Sequence, residues 1–272
     1  MNILTADSGS TKTEWVLTSN ETILLRCFSS GINPALQSTE DILHTLQTEI
    51  APSLSAYPID KIDFYGAGCS GKRCETVRQA LAAAIGSCAI SVESDLLGAA
   101  RALCRDREGI ACILGTGANS CLYDGKEIVR NTPALGFLLG DEGSGAVLGR
   151  RLVGDVFKRQ LPTALCEAFQ EKYQLSMETL IEKVYRTPFP NRFLASFTHF
   201  LGEHKEHPAI RSLLLEEFSR FFVRNVAAYN RPDLPVHFVG SIAFHFKKEV
   251  KTAGQTAGFT VGTIKKAPLS ET

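Results

Sequence analysis

Apolar and polar positions along the first thirty residues fall into a pattern that predicts three strands. Ile3–Ala6 leads into the polar turn Asp7-Ser8-Gly9-Ser10-Thr11-Lys12-Thr13, and Glu14–Thr18 and Thr22–Phe28 then flank Ser19-Asn20-Glu21. The succession recurs later in the chain. Ile110–Leu114 is followed by the turn Gly115-Thr116-Gly117-Ala118-Asn119, by Ser120–Tyr123, by the turn Asp124-Gly125-Lys126 and by Glu127–Arg130. A unit repeated at so long an interval is not a solenoid repeat, and it predicts two related domains.

Between the two hairpins, Ser38–Tyr57 carries Ile42, Leu43, Leu46 and Ile50 at helical spacing behind Ser38-Thr39-Glu40-Asp41, the signature of a capped amphipathic helix. A strand over Ile62–Tyr65 runs into the small-residue turn Gly66–Gly71, and a helix over Lys72–Gly86 follows. A strand over Ala89–Val92 ends in Glu93-Ser94-Asp95, just before an Ala-rich helix over Leu96–Arg107. After the second hairpin, the Gly-rich acidic stretch Pro133–Ala146 leads into a helix bearing Val147, Leu148, Leu152 and Val156. Residues 161–229 read as helical, with breaks at Pro188, Pro190 and Pro208. Val236–Val239 is a strand that ends in Gly240-Ser241, and a helix through Thr252 and a strand over Thr260–Ile264 complete the chain.

Composition narrows the function classes. With 272 residues and 44% apolar content the chain can build two modest cores. Lys+Arg and Asp+Glu are both 29, and no basic run forms the footprint of a nucleic-acid binder. Nucleic acid and membrane are therefore not expected as partners. Met1–Asp7 lacks the basic and long apolar segments of a signal peptide, and no stretch approaches eighteen apolar residues, so a cytoplasmic location is expected. The eight cysteines include no C-x-x-C pair, which points to buried free thiols rather than a zinc or iron–sulfur site.

The two Gly turns carry the first chemical signal. Small residues let backbone N–H groups approach an anion, and Ser or Thr hydroxyls can donate to phosphate oxygens, so two such turns could clamp a triphosphate from both sides. A short Gly turn serves a plain hairpin as readily, and it is the repetition that adds weight. Neither turn is a Walker A loop, and no G-x-G-x-x-G is present. Asp95 stands at the carboxyl end of a strand, where open α/β sheets collect ligands, although an N-cap would use the same residue. Asp141 could bond sugar hydroxyls while neighbouring N–H groups stay free for phosphate, or could serve with Glu142 as a first-turn charge. Gly240-Ser241 could let an adenine ring lie on backbone, or could simply be a tight turn. Glu203-His204-Lys205-Glu206-His207 is not H-E-x-x-H and reads as a solvated turn.

In their order these segments resemble the BadF/BadG/BcrA/BcrD ATPase family, and within it the N-acetylglucosamine kinases of the actin/hexokinase superfamily. The resemblance implies an α/β fold of two RNase H-like domains with a nucleotide cleft between them. The N-terminal domain is expected over residues 1–108, and the C-terminal domain, with a helical insertion, over 109–272. Asp7, Ser8, Gly9, Ser10, Thr11, Lys12 and Thr13 look like the first phosphate motif, with Asp7 beside Mg²⁺. Gly115, Thr116 and Gly117 look like the second phosphate motif, and Gly240 and Ser241 like the adenosine motif. Asp95 matches the catalytic aspartate, while Asn33, Ser94, Asn119, Gly136, Asp141 and Glu142 match amino-sugar-binding positions. The five-residue match Gly140-Asp141-Glu142-Gly143-Ser144 is the most specific, and it favours a kinase over a bare ATPase.

The resemblance thus implies an ATP- and Mg²⁺-dependent kinase acting on the C6 hydroxyl of an amino sugar, N-acetylglucosamine first, with glucosamine as an alternative acceptor. Asp95 would take the hydroxyl proton. A homodimer is one arrangement left open. A regulatory ATPase of the dehydratase-activator type is the rival, but Cys112, Cys121 and Cys166 do not stand where its cluster ligands are expected. The chain stops at Thr272, somewhat before relatives of this family usually finish, so a shortened terminal segment is expected.

Overall fold

The computed structural model describes residues 1–9, 11–86 and 88–269. Among these the chain forms two compact units, Met1–Ala102 and Leu103–Ala267, with Pro268 counted with the first.

In the first unit, β1 (Asn2–Ser8), β2 (Lys12–Ser19), β3 (Thr22–Ser30), β4 (Lys61–Gly66) and β5 (Ala89–Ser94) form a sheet in the order β3-β2-β1-β4-β5. The predicted hairpins make β1, β2 and β3 antiparallel, whereas β4 and β5 add parallel to β1. Period-two alternation aims Leu4, Ala6, Trp15 and Leu17 into one core with Ile62 and Phe64. The predicted helix runs from Thr39 to Leu54 through a one-turn π segment at Leu46–Ile50. Its capping box forms as read, with the Ser38 hydroxyl accepting from the Asp41 N–H and the Asp41 carboxylate from the Ser38 N–H.

The second unit repeats the plan. β6 (Gly109–Leu114), β7 (Ala118–Tyr123), β8 (Ile128–Thr132), β9 (Val236–Val239) and β10 (Val261–Lys265) form a sheet in the order β10-β9-β6-β7-β8. Counted within the unit, this is again third-second-first-fourth-fifth, with the hairpin antiparallel and the last two strands parallel. Each unit therefore has the RNase H-like arrangement that the resemblance implied. The segment after β8 is helical, and Pro190 and Pro208 occupy the first turns of Pro190–Ser196 and Pro208–Phe221, where a missing N–H costs nothing. Phe218, Phe221 and Phe222 pack with Phe238 and Leu114 in the second core.

All eight cysteines are free thiols. Burial drives the Cys69 thiol to about 12 in the first unit and the Cys121 thiol to about 12 in the second, and it raises Cys112 well above its ordinary value. Among the described residues no helix is long and apolar enough to cross a membrane.

Candidate active site

Parallel pairing aligns the carboxyl ends of β1, β4 and β5 on one edge of the first sheet, with Asp7, Tyr65 and Glu93 in register. Asp7 sits at the end of β1 and Asp95 opens the helix Asp95–Cys104 after β5. Two strand spacings separate their backbones by roughly 10 Å. Both are half-buried. Burial, reinforced by the carboxylates of Asp95 and Glu14, pushes the Asp7 carboxyl up to about 7, and burial pushes Asp95 up to about 6. Asn33 reaches the same edge, where its side-chain oxygen accepts from the Ala35 N–H (2.9 Å). That oxygen lies over Gly68, whose φ is +77°, and a Cβ there would come within 2.1 Å of it. Gly68 is thus required by both its backbone angle and its neighbour.

The alternative reading of Asp95 as a helix cap does not hold. Ser94 is the cap, its hydroxyl accepting from the Leu97 N–H at 3.2 Å. Ser94, expected to bind sugar, thus has a local structural task, and Asp95 spends one carboxylate oxygen on the Leu96 N–H (2.9 Å).

Ser8 and Thr13, expected among the phosphate ligands, are fully buried. Their hydroxyls bond each other at 2.7 Å, Ser8 brackets the Ile32 N–H and carbonyl at 3.0 Å each, and Thr13 donates to the Ser30 carbonyl at 3.1 Å. Both follow the inward phase of their strands, so alternation through Leu4, Ala6 and Ser8 already carried the signal. Gly9 donates to the Lys12 carbonyl (3.0 Å), Thr11 is exposed, and the Lys12 ammonium lies 3.4 Å from the Phe28 ring centroid. Ser10 lies outside the described residues.

In the second unit three loops meet at the turn Gly115-Thr116-Gly117. Gly115 N–H donates to Gly117 across the turn (2.9 Å). The carbonyls of Gly115 and Thr116 accept from the N–H groups of Gly145 (2.8 Å) and Ala146 (3.1 Å), at the start of helix Gly145–Phe157. Those N–H groups, expected to be free for phosphate, are instead spent on tying the acidic loop to the turn. The Asp141 carboxylate rests against Gly117, where a Cβ would lie 3.1 Å from Oδ2, and it accepts from the Ala118 N–H. Burial pushes Asp141 up to about 6 despite that bond. Gly240, at φ +125°, presses on the end of β6, and a Cβ there would lie 2.2 Å from the Leu114 carbonyl oxygen. This close approach is what demands glycine; Ser241 beside it is exposed. Asn119 uses its side-chain oxygen for the Ser120 N–H (2.9 Å) and the Asn131 amide (3.0 Å). Gly136, at φ +70° and exposed, opens the short helix Gly136–Leu139 leading into the acidic loop.

Glu142 departs from expectation. Instead of joining Asp141 as an open sugar ligand, it is 6% exposed, paired with the Arg224 guanidinium and bonded to the Asn225 amide at 3.1 Å. Burial opposes its ionisation, yet its own N–H, Asn225 and Arg224 together hold the carboxyl below its ordinary value. Arg224 and Asn225 stand on the one-turn π segment Phe222–Val226. Nothing in the sequence marks them, since their partner is more than eighty positions away.

No protein-family model and no curated protein matches this sequence. Solved structures do. A candidate N-acetylglucosamine kinase from Porphyromonas gingivalis is 49% identical over 98% of this chain and 95% of that one, with a TM-score of 0.96. The chain belongs to the same family as that candidate N-acetylglucosamine kinase. A second candidate N-acetylglucosamine kinase, from Chromobacterium violaceum, is 17% identical over 98% and 95% of the two chains at a TM-score of 0.78. A glucokinase from Streptomyces griseus solved with glucose and AMPPNP is 13% identical over 98% and 94% at 0.61. At such identities these two show the fold alone.

Proposed function

We propose that this protein is a sugar kinase that transfers the γ-phosphoryl group of ATP to the C6 hydroxyl of an amino sugar, with N-acetylglucosamine as the first acceptor to test. The observation that carries the reading is Asp95, a half-buried carboxyl at a strand's carboxyl end, raised to about 6 and relieved of capping by Ser94. A general base works best with a value near the operating pH. Asp95 would orient the hydroxyl and take its proton as the sugar oxygen bonds to the γ-phosphorus and the bond to the β–γ bridging oxygen breaks, releasing ADP.

The residues fit a magnesium nucleotide. Among the described residues no set of three or more ligands forms a metal cage. Asp7 instead offers a carboxylate whose ionisation is suppressed by burial and by two neighbouring carboxylates, a site that a cation would relieve. Mg²⁺ is commonly held this way, by one or two carboxylates, waters and substrate phosphates. When bound it neutralises charge on the phosphates. Gly115 leaves open space where a side chain would stand, so its backbone could admit a phosphate oxygen. Asp141 would bond sugar hydroxyls, with Asn33 and Asn119 as further candidate contacts.

Motif order favours placement within the broader BadF/BadG/BcrA/BcrD group. Its dehydratase-activator members are a poorer fit, because Cys112 and Cys121 are fully buried in the second core and their thiols are held protonated. A coupled ADP-release assay over N-acetylglucosamine, glucosamine and N-acetylmannosamine tests the reading. Sugar-stimulated ADP release is expected, strongest with N-acetylglucosamine. ADP release indifferent to every sugar would overturn it.

A further inference from the structure

The acidic loop holds a mildly strained backbone, because Asp141 sits at φ +54° in the left-handed region, which non-glycine residues enter uncommonly and Asp more readily than most. Such strain persists only when the surroundings over-determine it. Local bonds supply part of this: the Asp141 N–H donates to Ala134 (3.0 Å), and its carbonyl accepts from Ser144 (3.0 Å). The rest comes from the next residue. Glu142 is anchored to Arg224 and Asn225, and Phe222, Asn225 and Val226 of that π segment all face inward. Single-turn π insertions recur at functional sites.

The anchoring continues beyond the loop. The Asn225 carbonyl accepts from the Thr132 hydroxyl at 3.0 Å, and the Thr132 N–H donates to the Tyr229 hydroxyl at 3.0 Å. That hydroxyl is also hydrogen-bonded to the Ser120 hydroxyl at 2.7 Å, next to Asn119. One helix end, residues 222–229, thus braces both Asp141, through Glu142, and Asn119, through Ser120. The brace is mostly buried, and Arg224 is its solvent-facing member, with a side chain 56% exposed. A cavity of ≈ 400 Å³ opens beside it, lined by Thr132, Leu135, Leu139, Glu142, Arg224 and Asn225.

We propose that Glu142 is a positioning residue, which through Arg224 and Asn225 fixes the geometry of Asp141 toward sugar without touching it. The inference rests on the kinase reading above. Displacing a binding group by about an ångström costs roughly 10- to 100-fold. Glu142→Gln keeps the shape and removes the charge that holds Arg224, so the sugar KM should rise about tenfold or more. kcat and Mg·ATP affinity should stay within about threefold.

A double-mutant cycle separates positioning from direct contact. If Glu142 acts through Asp141, then Asp141→Asn/Glu142→Gln raises KM no further than Asp141→Asn alone; additive effects would mean that Glu142 binds sugar itself and would overturn the proposal. An unchanged KM in Glu142→Gln would overturn it as well. Should Glu142→Gln fail to fold, Arg224→Gln, altered at an exposed side chain, should show the same selective rise in KM, with Arg224→Lys restoring most of it. A normal KM in Arg224→Gln would then refute the brace. Wild-type enzyme that ignores sugar altogether would refute the kinase reading instead, so the two failures are distinguishable.

Discussion

Replacing Asp95 by Asn removes a proton acceptor and a desolvated charge in a single substitution, and the two losses act in opposite directions. Asn keeps an oxygen for the Leu96 N–H, and the helix cap belongs to Ser94, so the backbone has no reason to move. Burial raises Asp95 from 3.8 to about 6 in the folded protein. Because the folded value lies above the unfolded one, this group's contribution to stability is complete below about pH 3.8 and is lost as pH rises through about 6. At 1.36 kcal/mol per pH unit the penalty above pH 6 is about 3 kcal/mol at most, and solvent screening at a half-buried site trims it to about 1–2 kcal/mol. The Asn variant should therefore melt several degrees higher than wild type at pH 7.5 and alike near pH 4. Phosphoryl transfer should fall by about 10²–10⁴, the usual contribution of a general base, while Mg·ATP affinity stays near wild type. Thermal melts across pH 4–8 and steady-state turnover check both halves. An Asn variant that turns over within tenfold of wild type, or that is less stable at pH 7.5, would refute the reasoning.

Further expectations follow from single side chains. In wild type, kcat/KM should climb with pH through about 6 as Asp95 ionises, and a profile flat from pH 5 to 8 would contradict its role. Asp141→Ala should raise the sugar KM far more than it changes nucleotide affinity, which isothermal titration with each ligand can separate. Gly240→Ala forces a methyl against the Leu114 carbonyl at φ +125°, so a loss of several kcal/mol in urea unfolding is expected. Ser8→Ala leaves the Ile32 N–H and Thr13 hydroxyl short of a buried partner, costing about 1–3 kcal/mol, but Mg·ATP affinity should hold within a few-fold, since the hydroxyl is already bonded within the core.

Much of this architecture is legible along the chain because its strands are short-range objects. The hairpins around Ser19–Glu21 and Asp124–Lys126, the Ser38 capping box and the carboxylate after β5 are all set by neighbours within a few residues. The repeat of the hairpin was enough to announce two units of one plan. What local reading misses is which way a polar side chain is used. Ser8 and Thr13 belong to a Gly turn by composition, but to the core by strand phase, and phase decides. Glu142 follows Asp141 in sequence and turns to partners on a distant π segment, whose extra residue leaves no mark in a helical stripe. The N–H groups of Gly145 and Ala146 were lost to phosphate in the same way, through a contact with the turn thirty positions earlier.

The sealed thiols give this protein a built-in clock. Only the thiolate attacks an alkylating reagent, and Cys69, Cys112 and Cys121 present almost none while their surroundings stay closed. Modification at these positions must wait for local or global opening, so its rate counts openings rather than encounters with reagent. Cys69 lies in one unit and Cys112 with Cys121 in the other. Mass-resolved alkylation in native buffer would therefore time the two halves of the chain independently, without an engineered label, and would reveal which half a nucleotide or a sugar holds shut.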